Sequence, residues 1–353
     1  MASRPSGSGG VELSPVCRAG AGHRLRSRVD RWRARFRAGS GLAGLLAVCW
    51  IATPWLATPC LGAANFGAAF LDNGLGVRAQ GMAGAFAAVA DDASAVFWNP
   101  AGLARARGKD ALLSGQWLSL DRTQASVAAS TNSRGGLGFG FAWIYAGVNH
   151  LDARTGSGDV FGEIDDSENA VFFAVGLPLI GNLAAGAAVK LIWQTLDVPQ
   201  LGASTANGRA VDLGLQYRIG STRLGATVKN LAGQLDWTVR RSALQSNKTR
   251  EDLPLTLTLG GAHRVMANLL VAADVQTNDI DTYANAGVEY RISPMLTMRG
   301  GIRGVGGKEG GGGSAFGVTL RPMQEDTVLF NLTIVTDDVD AGSRTLAGLS
   351  LHF

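Results

Sequence analysis

Beyond position 64 the sequence has no cysteine, because Cys17, Cys49 and Cys60 all precede it. That remainder therefore forms no disulfide and no thiolate metal site. Histidine is almost as scarce there: only His150, His263 and His352 are left, far apart, with no HExxH pair and no paired-histidine metal geometry. His150 lies near Asp152, but no G-x-S-x-G nucleophile turn accompanies them. The run Gly306-Gly307-Lys308-Glu309 does not make a phosphate loop, since Ile302 stands where the motif needs glycine and Glu309 where it needs Ser or Thr. These absences leave no catalytic residue, no metal site and no cofactor to name. Charge is also sparse, at 17% of the 353 residues, whereas glycine is abundant at 49. Such a composition suits a thin-walled barrel better than a densely packed soluble core.

The charge that exists is segregated. Nine of the 32 basic residues (Arg4, Arg18, Arg24, Arg26, Arg28, Arg31, Arg33, Arg35 and Arg37) and two of the 28 acidic ones (Glu12 and Asp30) fall within the first 40 positions. The net charge of +4 thus becomes −3 for the rest, so the chain carries no basic arm for nucleic acid once those positions are removed. An uncharged stretch, 41–64, follows and contains LAGLLAVCWIATPWLA before Gly62-Ala63-Ala64. Basic, apolar and small-residue regions in that order predict a signal peptide over 1–64, cleaved before Asn65. A retained anchor or a lipid-modified Cys60 is the alternative, and the long basic region suggests that translation starts near Val29.

From Asp110 to Phe353 the chain reads as fourteen strand-length segments: 110–119, 122–130, 136–147, 168–178, 182–196, 207–218, 222–231, 254–265, 267–276, 282–292, 295–304, 313–322, 326–336 and 343–353. Each has the nine to eleven residues, or a little more, that a tilted strand needs to cross a bilayer. Most alternate with period two. Val211, Leu213, Leu215, Tyr217 and Ile219 share one face, with Asp212, Gly214, Gln216 and Arg218 on the other. Segments 254–265, 282–292 and 343–353 repeat the pattern, and the chain ends on Phe353. Ile192 departs from it, falling on the polar face of its segment. Connection length alternates as well. The segments 148–166, 197–206 and 232–253 read as long outer loops, while 179–181, 219–221, 266 and 293–294 are short, the parity expected when both ends of a barrel face the periplasm. The pattern predicts an all-β fold: a transmembrane antiparallel β-barrel of about 14 strands over 110–353, with a hatch-like N-terminal segment over 65–109.

The most distinctive local sequence lies in that segment, Gly74 to Ala104: GLGVRAQGMAGAFAAVADDASAVFWNPAGLA. Its small residues permit close backbone approach inside a barrel. Asn99 before Pro100 predicts an N-cap with proline at the first helical position, over a short helix from Pro100 to Ala104. The stretch resembles the N-terminal signature of the PorV/PorQ group and, more distantly, of the FadL/TodX-type transporters of hydrophobic compounds. Arg78, Ala79, Gly81, Met82, Gly84, Ala85, Phe86, Ala90, Asp91, Asp92, Ala95, Asn99, Pro100, Ala101, Gly102 and Leu103 carry the match, and Ala83 departs from it. The resemblance implies a segment that enters the lumen and gates it. Candidate gating or lumen residues are Asp91, Asp92, Asn99, Pro100 and Gly102, with the acidic pair expected to contact lumen arginines.

Arg218, Arg223, Arg264, Arg291 and Arg321 fall at expected periplasmic strand ends on polar faces and form a candidate basic collar. Trp117, Trp143, Tyr145, Trp193, Trp237 and Tyr290 are expected in the aromatic girdles of a membrane barrel. Two functions are open. One is passive transport of small hydrophobic molecules, fatty-acid-like or aromatic, across the outer membrane of a Gram-negative cell. The other is a PorV-like accessory barrel that binds cargo in type IX secretion, through loops such as 232–253. The Ala-, Gly- and Arg-rich usage speaks against that system's usual hosts. Expected partners are outer-membrane lipid and lipopolysaccharide, the barrel-assembly machinery, and a hydrophobic ligand or secretion cargo, with no nucleic acid among them.

Overall fold

The computed structural model describes residues 67–353 apart from 107, 120, 200–201, 243–244, 308–311, 323–327 and 338–341. The expected signal peptide, 1–64, lies outside the described residues. The wall begins with β1 (Lys109–Trp117), β2 (Arg122–Asn132), β3 (Gly138–Arg154), β4 (Val160–Pro178), β5 (Leu183–Val198), β6 (Gly202–Ile219) and β7 (Thr222–Ser242). It continues through β8 (Gln245–Asp252), β9 (Thr256–Met266), β10 (Leu269–Thr277), β11 (Thr282–Ser293), β12 (Leu296–Val305), β13 (Gly313–Leu320), β14 (Val328–Asp337) and β15 (Ser343–His352). Neighbours in sequence pair antiparallel. The sheet closes on itself where β1 meets β15, from Asp110 opposite His352 to Trp117 opposite Thr345.

Fifteen described strands make a fourteen-stranded wall. The outer part of β7 pairs with β8, and its inner part, Thr222 to Lys229, pairs with β9, so β8 and β9 are one wall strand broken at 253–255. Pro254 sits in the break, where a residue without an N–H cannot serve the ladder. β7 bulges opposite it: Asn230 and Ala232 adopt left-handed φ values of 63° and 52°. The Asn230 side chain donates to the Pro254 carbonyl at 2.7 Å, which holds the two irregularities together.

The expected alternation holds along the wall. Leu213, Leu215, Tyr217 and Ile219 are exposed on the outside, while Asp212 and Gln216 are buried inside. Leu255, Leu257 and Leu259 point out, against Thr256 and Thr258 within. This leaves a continuous apolar exterior, as a barrel in lipid requires. Trp117, Trp143, Trp193 and Tyr290 are among its exposed aromatics. Trp237 is not: it packs on the interior core and donates to Glu251 at 3.1 Å.

The three long loops differ from expectation. Most of 148–166, 197–206 and 232–253 is strand, extending the β3–β4, β5–β6 and β7–β8 hairpins to short turns. Inward burial at Ser204, Ala206 and Ala210 shows the period of two persisting through this region. Outside lipid a strand needs no apolar outer face, so its composition reads as loop.

The lumen is filled. Residues 67–106 fold as a hatch within the wall, containing a 3₁₀ turn (Ala69–Asn73), α1 (Val77–Gly81), α2 (Ala95–Trp98) and a 3₁₀ helix (Pro100–Arg105). Leu75, Met82, Phe86, Val89, Val96 and Leu103 are fully buried. They pack with Ile144, Phe172, Ile192, Leu235 and Leu270 from the inner face of the wall. Ile192 therefore sits on the lumen face because the hatch supplies an apolar partner there, and the molecule's hydrophobic core lies inside the barrel.

Candidate functional site

The hatch is positioned by the wall's glycines. Gly138, Gly176, Gly186 and Gly214 lie directly opposite one another across β3, β4, β5 and β6, a row without side chains. The helix Pro100–Arg105 lies over this row. A Cβ on Gly176 would come 2.6 Å from the Pro100 carbonyl oxygen, and one on Gly214 would collide with Asn99 Oδ1. Gly102 is required by the same closeness on the hatch side, where a Cβ would strike the Ala90 carbonyl.

Asn99 is fully buried and has three partners. Its Oδ1 accepts from the Ala101 N–H at 3.1 Å, the expected cap, over a helix of 3₁₀ rather than α geometry. Its Nδ2 donates to the Ala87 carbonyl at 2.7 Å and to the Leu215 carbonyl of β6 at 3.1 Å. One side chain thus ties two turns of the hatch to the wall. Gln216 adds donations to the carbonyls of Ala87 and Ala90.

Two wall carboxylates hold hatch N–H groups. Asp274 Oδ2 accepts from Phe86 and Ala87, both at 2.8 Å. Asp110 Oδ2 accepts from Ala93 at 2.8 Å, and its other oxygen lies 2.7 Å from His352 Nδ1. Neither aspartate carried a motif signal in the sequence. Their inward position at the start of β1 and the middle of β10 was the trace available.

Arg78 is the centre of the hatch's electrostatics. Its Nη1 lies 2.7 Å from Asp91 and 2.8 Å from Asp92, its Nε lies 2.9 Å from Glu289 of β11, and its guanidinium sits over the Phe86 ring at 5.3 Å. Glu289 also takes Arg299 of β12 at 2.7 Å. Asp91 reaches Arg223 of β7 at 2.8 Å through its second oxygen. Asp92 caps the following turn, accepting from the Ser94 N–H and hydroxyl. Burial opposes charge on Asp91, but Arg78 and Arg223 outweigh it and hold its carboxyl below the usual range. At Asp92 burial prevails over Arg78, aided by the neighbouring Asp110 and Asp91 charges, and its pKa is raised. The acidic pair thus meets two different arginines, one in the hatch and one in the wall.

A cavity lies on each side of the hatch. Toward the long hairpins is one of about 90 Å³, bordered by Phe97, Trp98, Lys190, Lys229, Tyr283 and Arg303. Lys229 Nζ lies 4.1 Å from the Phe97 ring centre and 5.1 Å from that of Trp98. Beside it the buried pair Lys190–Asp212, at 2.9 Å, meets the β7 bulge: Lys190 donates to Asn230 Oδ1 at 2.6 Å, and the Asn230 N–H donates to Asp212 at 2.8 Å. The second cavity, of about 410 Å³, opens at the short-turn end and is lined by Arg218, Gly220, Ser221, Arg223, Arg264 and Arg291. Four of the five expected collar arginines therefore converge. Arg321 does not join this lining; it follows β13, its N–H bonded to the Met295 carbonyl at 2.8 Å.

No family model matches the sequence, and neither does any curated protein. Solved structures do match in fold. The Pseudomonas putida toluene transporter TodX superposes with a TM-score of 0.60 at 16% identity, over 79% of this chain and 99% of that one. The Ralstonia pickettii toluene transporter TbuX gives 0.59 at 17%, over 79% and 98%. A Pseudomonas aeruginosa FadL homologue gives 0.59 at 12%, over 78% and 97%. At these identities the likeness is one of fold: this chain has the architecture of the FadL-type barrels.

Proposed function

We propose that the chain is an outer-membrane barrel for passive passage of small hydrophobic molecules, aromatic or fatty-acid-like, and that the hatch is its gate. The observation that carries this reading is the hatch itself, its apolar side chains buried between two lumen cavities and its polar ones tied to the wall by ion pairs and hydrogen bonds. An apolar exterior and a fold shared with two toluene transporters support it. The outer cavity, at about 90 Å³, is smaller than the roughly 150 Å³ that holds a benzene ring in a protein interior. Passage of even a single ring then requires the hatch to shift. In this reading residues 1–64 export the chain to a Gram-negative outer membrane, and Asp91, Asp92, Asn99, Pro100 and Gly102 act by seating and releasing the hatch.

Locking the hatch tests the proposal. A Cβ on Gly81 would lie 3.0 Å from Thr333 Oγ1, so Gly81→Cys with Thr333→Cys sets a disulfide between hatch and wall. Uptake of radiolabelled toluene or of a labelled fatty acid should cease on oxidation and return on reduction. Undiminished uptake by protein shown by mass spectrometry to be cross-linked would refute the gate. The PorV-like reading would use the β7–β8 hairpin, where Arg250 pairs with Asp236 at 2.6 Å on the exposed surface, to receive cargo. A genome lacking the other type IX components would sink it.

A further inference from the structure

Beyond the bulge at Asn230, the outward face of β6, β7 and β8 carries charge that the gate does not use. Arg209, Arg240, Lys248 and Arg250 are all exposed there. Register places them together: Arg209 of β6 stands opposite Gln234 of β7, while Arg250 and Lys248 of β8 stand opposite Asp236 and Thr238 of β7. Their outward direction follows from the period of two, since Ala206 and Ala210 of β6 and Leu235 of β7 are buried in the lumen. Two carboxylates share the face. Asp236 lies 2.6 Å from Arg250 Nε, and Asp252 is opposite Gln234. The charges of Arg209 and Lys248 also bear on Asp236, but among the described residues neither cation forms an ion pair. The face is therefore net positive, four cations against two carboxylates. It also borders lipid. Leu191 and Trp193 of β5, both exposed, stand opposite Arg209 and Asn207, and the exposed Leu231 and Leu255 end the apolar belt on the neighbouring strands. The cations thus lie where the belt gives way to polar residues, which is the level of lipid head groups.

We propose that this face docks the phosphorylated head group of outer-leaflet lipopolysaccharide, with Arg209 taking one phosphate and Arg250 with Lys248 the other. The inference rests on the outer-membrane placement of the barrel and not on what its lumen carries. The lipid A head group is a disaccharide with a phosphate at each end, and the face offers two cationic poles, one on each side of Asp236. β6 and β8 are two strands apart, so their backbones are separated by about 10 Å, a span that long arginine and lysine side chains can narrow or widen. Guanidinium forks bind phosphate through paired charge-assisted hydrogen bonds, and lysine adds a point charge. Asp236 orients Arg250 without neutralising the face, because Arg209 and Lys248 remain without ion pairs. Beside Arg209, Leu191 and Trp193 offer apolar surface to an acyl chain, along which the arginine stem can also lie. The hairpin that a cargo-binding role would use is thereby assigned to lipid.

Lipid binding to the intact protein in detergent micelles, read by native mass spectrometry, tests the site. Three probes are used: bis-phosphorylated lipid A, the same lipid after phosphatase treatment, and phosphatidylglycerol. The wild type should bind the bis-phosphorylated form at least about tenfold more tightly than the dephosphorylated one, as two or more cations near a charged head group imply. Arg209→Gln with Lys248→Gln leaves the Arg250–Asp236 pair in place and should lose that preference, with folding checked by heat-modifiable gel mobility. Lys109→Gln with Arg134→Gln removes the same charge from two exposed positions at the short-turn end and should keep it. Equal loss in both variants would reduce the effect to net charge and overturn the site. Equal affinity for the phosphorylated and dephosphorylated lipids, or an Arg209/Lys248 variant that binds as the wild type does, would overturn it as well. Phosphatidylglycerol bound as tightly as lipid A would overturn the assignment to lipopolysaccharide. Uptake is not read, so a failed gate leaves this test standing, and a failed site leaves the gate untouched.

Discussion

Replacing Arg78 by glutamine is the sharpest probe of the hatch. The side chain makes ion pairs of 2.7, 2.8 and 2.9 Å to Asp91, Asp92 and Glu289, and removing it leaves three carboxylates facing Arg223 and Arg299 alone. Deleting one partner of a buried pair costs about 3 to 5 kcal/mol, because the other charge stays buried without compensation. Here Arg78 retains 24% side-chain exposure and both remaining arginines are close, so the low end, about 3 kcal/mol, is appropriate. At about 1.4 kcal/mol per factor of ten, the population with the hatch released rises about a hundredfold. The wall keeps its ladder, since no strand hydrogen bond involves Arg78. Hydrogen exchange read by mass spectrometry should show amides of 79–94 losing about two orders of magnitude of protection while β4 and β5 keep theirs. Unchanged hatch protection would refute the latch, and equal loss in the wall would show that Arg78 stabilises the whole barrel rather than the gate.

Other expectations concern the remaining anchors. Gly214→Ala places a methyl against Asn99 Oδ1 and the Pro100 ring, so the hatch should seat poorly and channel conductance in planar bilayers should rise, with heat-modifiable mobility retained. Asn99→Asp keeps the cap acceptor but removes both side-chain donations, and with two carbonyls left facing a carboxylate the hatch should lose about 2 kcal/mol or more; Trp98 fluorescence reports it. Asp91 titrates below the ordinary carboxylate value of about 4, so its ion pairs contribute stability above that pH and lose it as pH falls through the depressed value. The difference in hatch exchange protection between the wild type and Asp91→Asn should therefore stay constant from neutral pH to about 4 and shrink only below it; a difference that shrinks near pH 6 would refute the assignment. Leu257→Lys, on the outer face, should weaken refolding into lipid by about 2 to 4 kcal/mol if it lies at the bilayer midplane.

The wall was largely legible because strand periodicity is a local property. A residue such as Leu215 declares its outward face through its neighbours two positions away, and Asn99-Pro100 declares a cap by the same locality. Three features were not legible, each for a non-local reason. Ile192 broke the alternation because its partner, the hatch, lies about a hundred residues earlier. The outer ends of β3 to β7 and the whole of β8 read as loop because strands beyond lipid have no apolar face to display. Trp237 was expected in the girdle, but the inner face of β7 runs from Thr227 through Leu235 to Trp237, where Glu251 of β8 accepts its N–H. Of the site, Asp91 and Asp92 were visible as a pair, while Arg78 was noticed only as a motif residue. Its hub role depends on Glu289, more than two hundred positions away.

What the sequence by itself determined is the barrel: period two and the spacing of turns are consequences of backbone geometry and of a wall one residue thick. What only the tertiary structure decided is that the hatch, residues 67–106, packs inside the barrel and fills its interior. That packing depends on a row of four glycines brought into register by three successive hairpins, on Asp110 and Asp274 meeting hatch N–H groups, and on Arg78 meeting Glu289. No local pattern encodes such contacts, because each exists only once the wall has closed around residues 67–106.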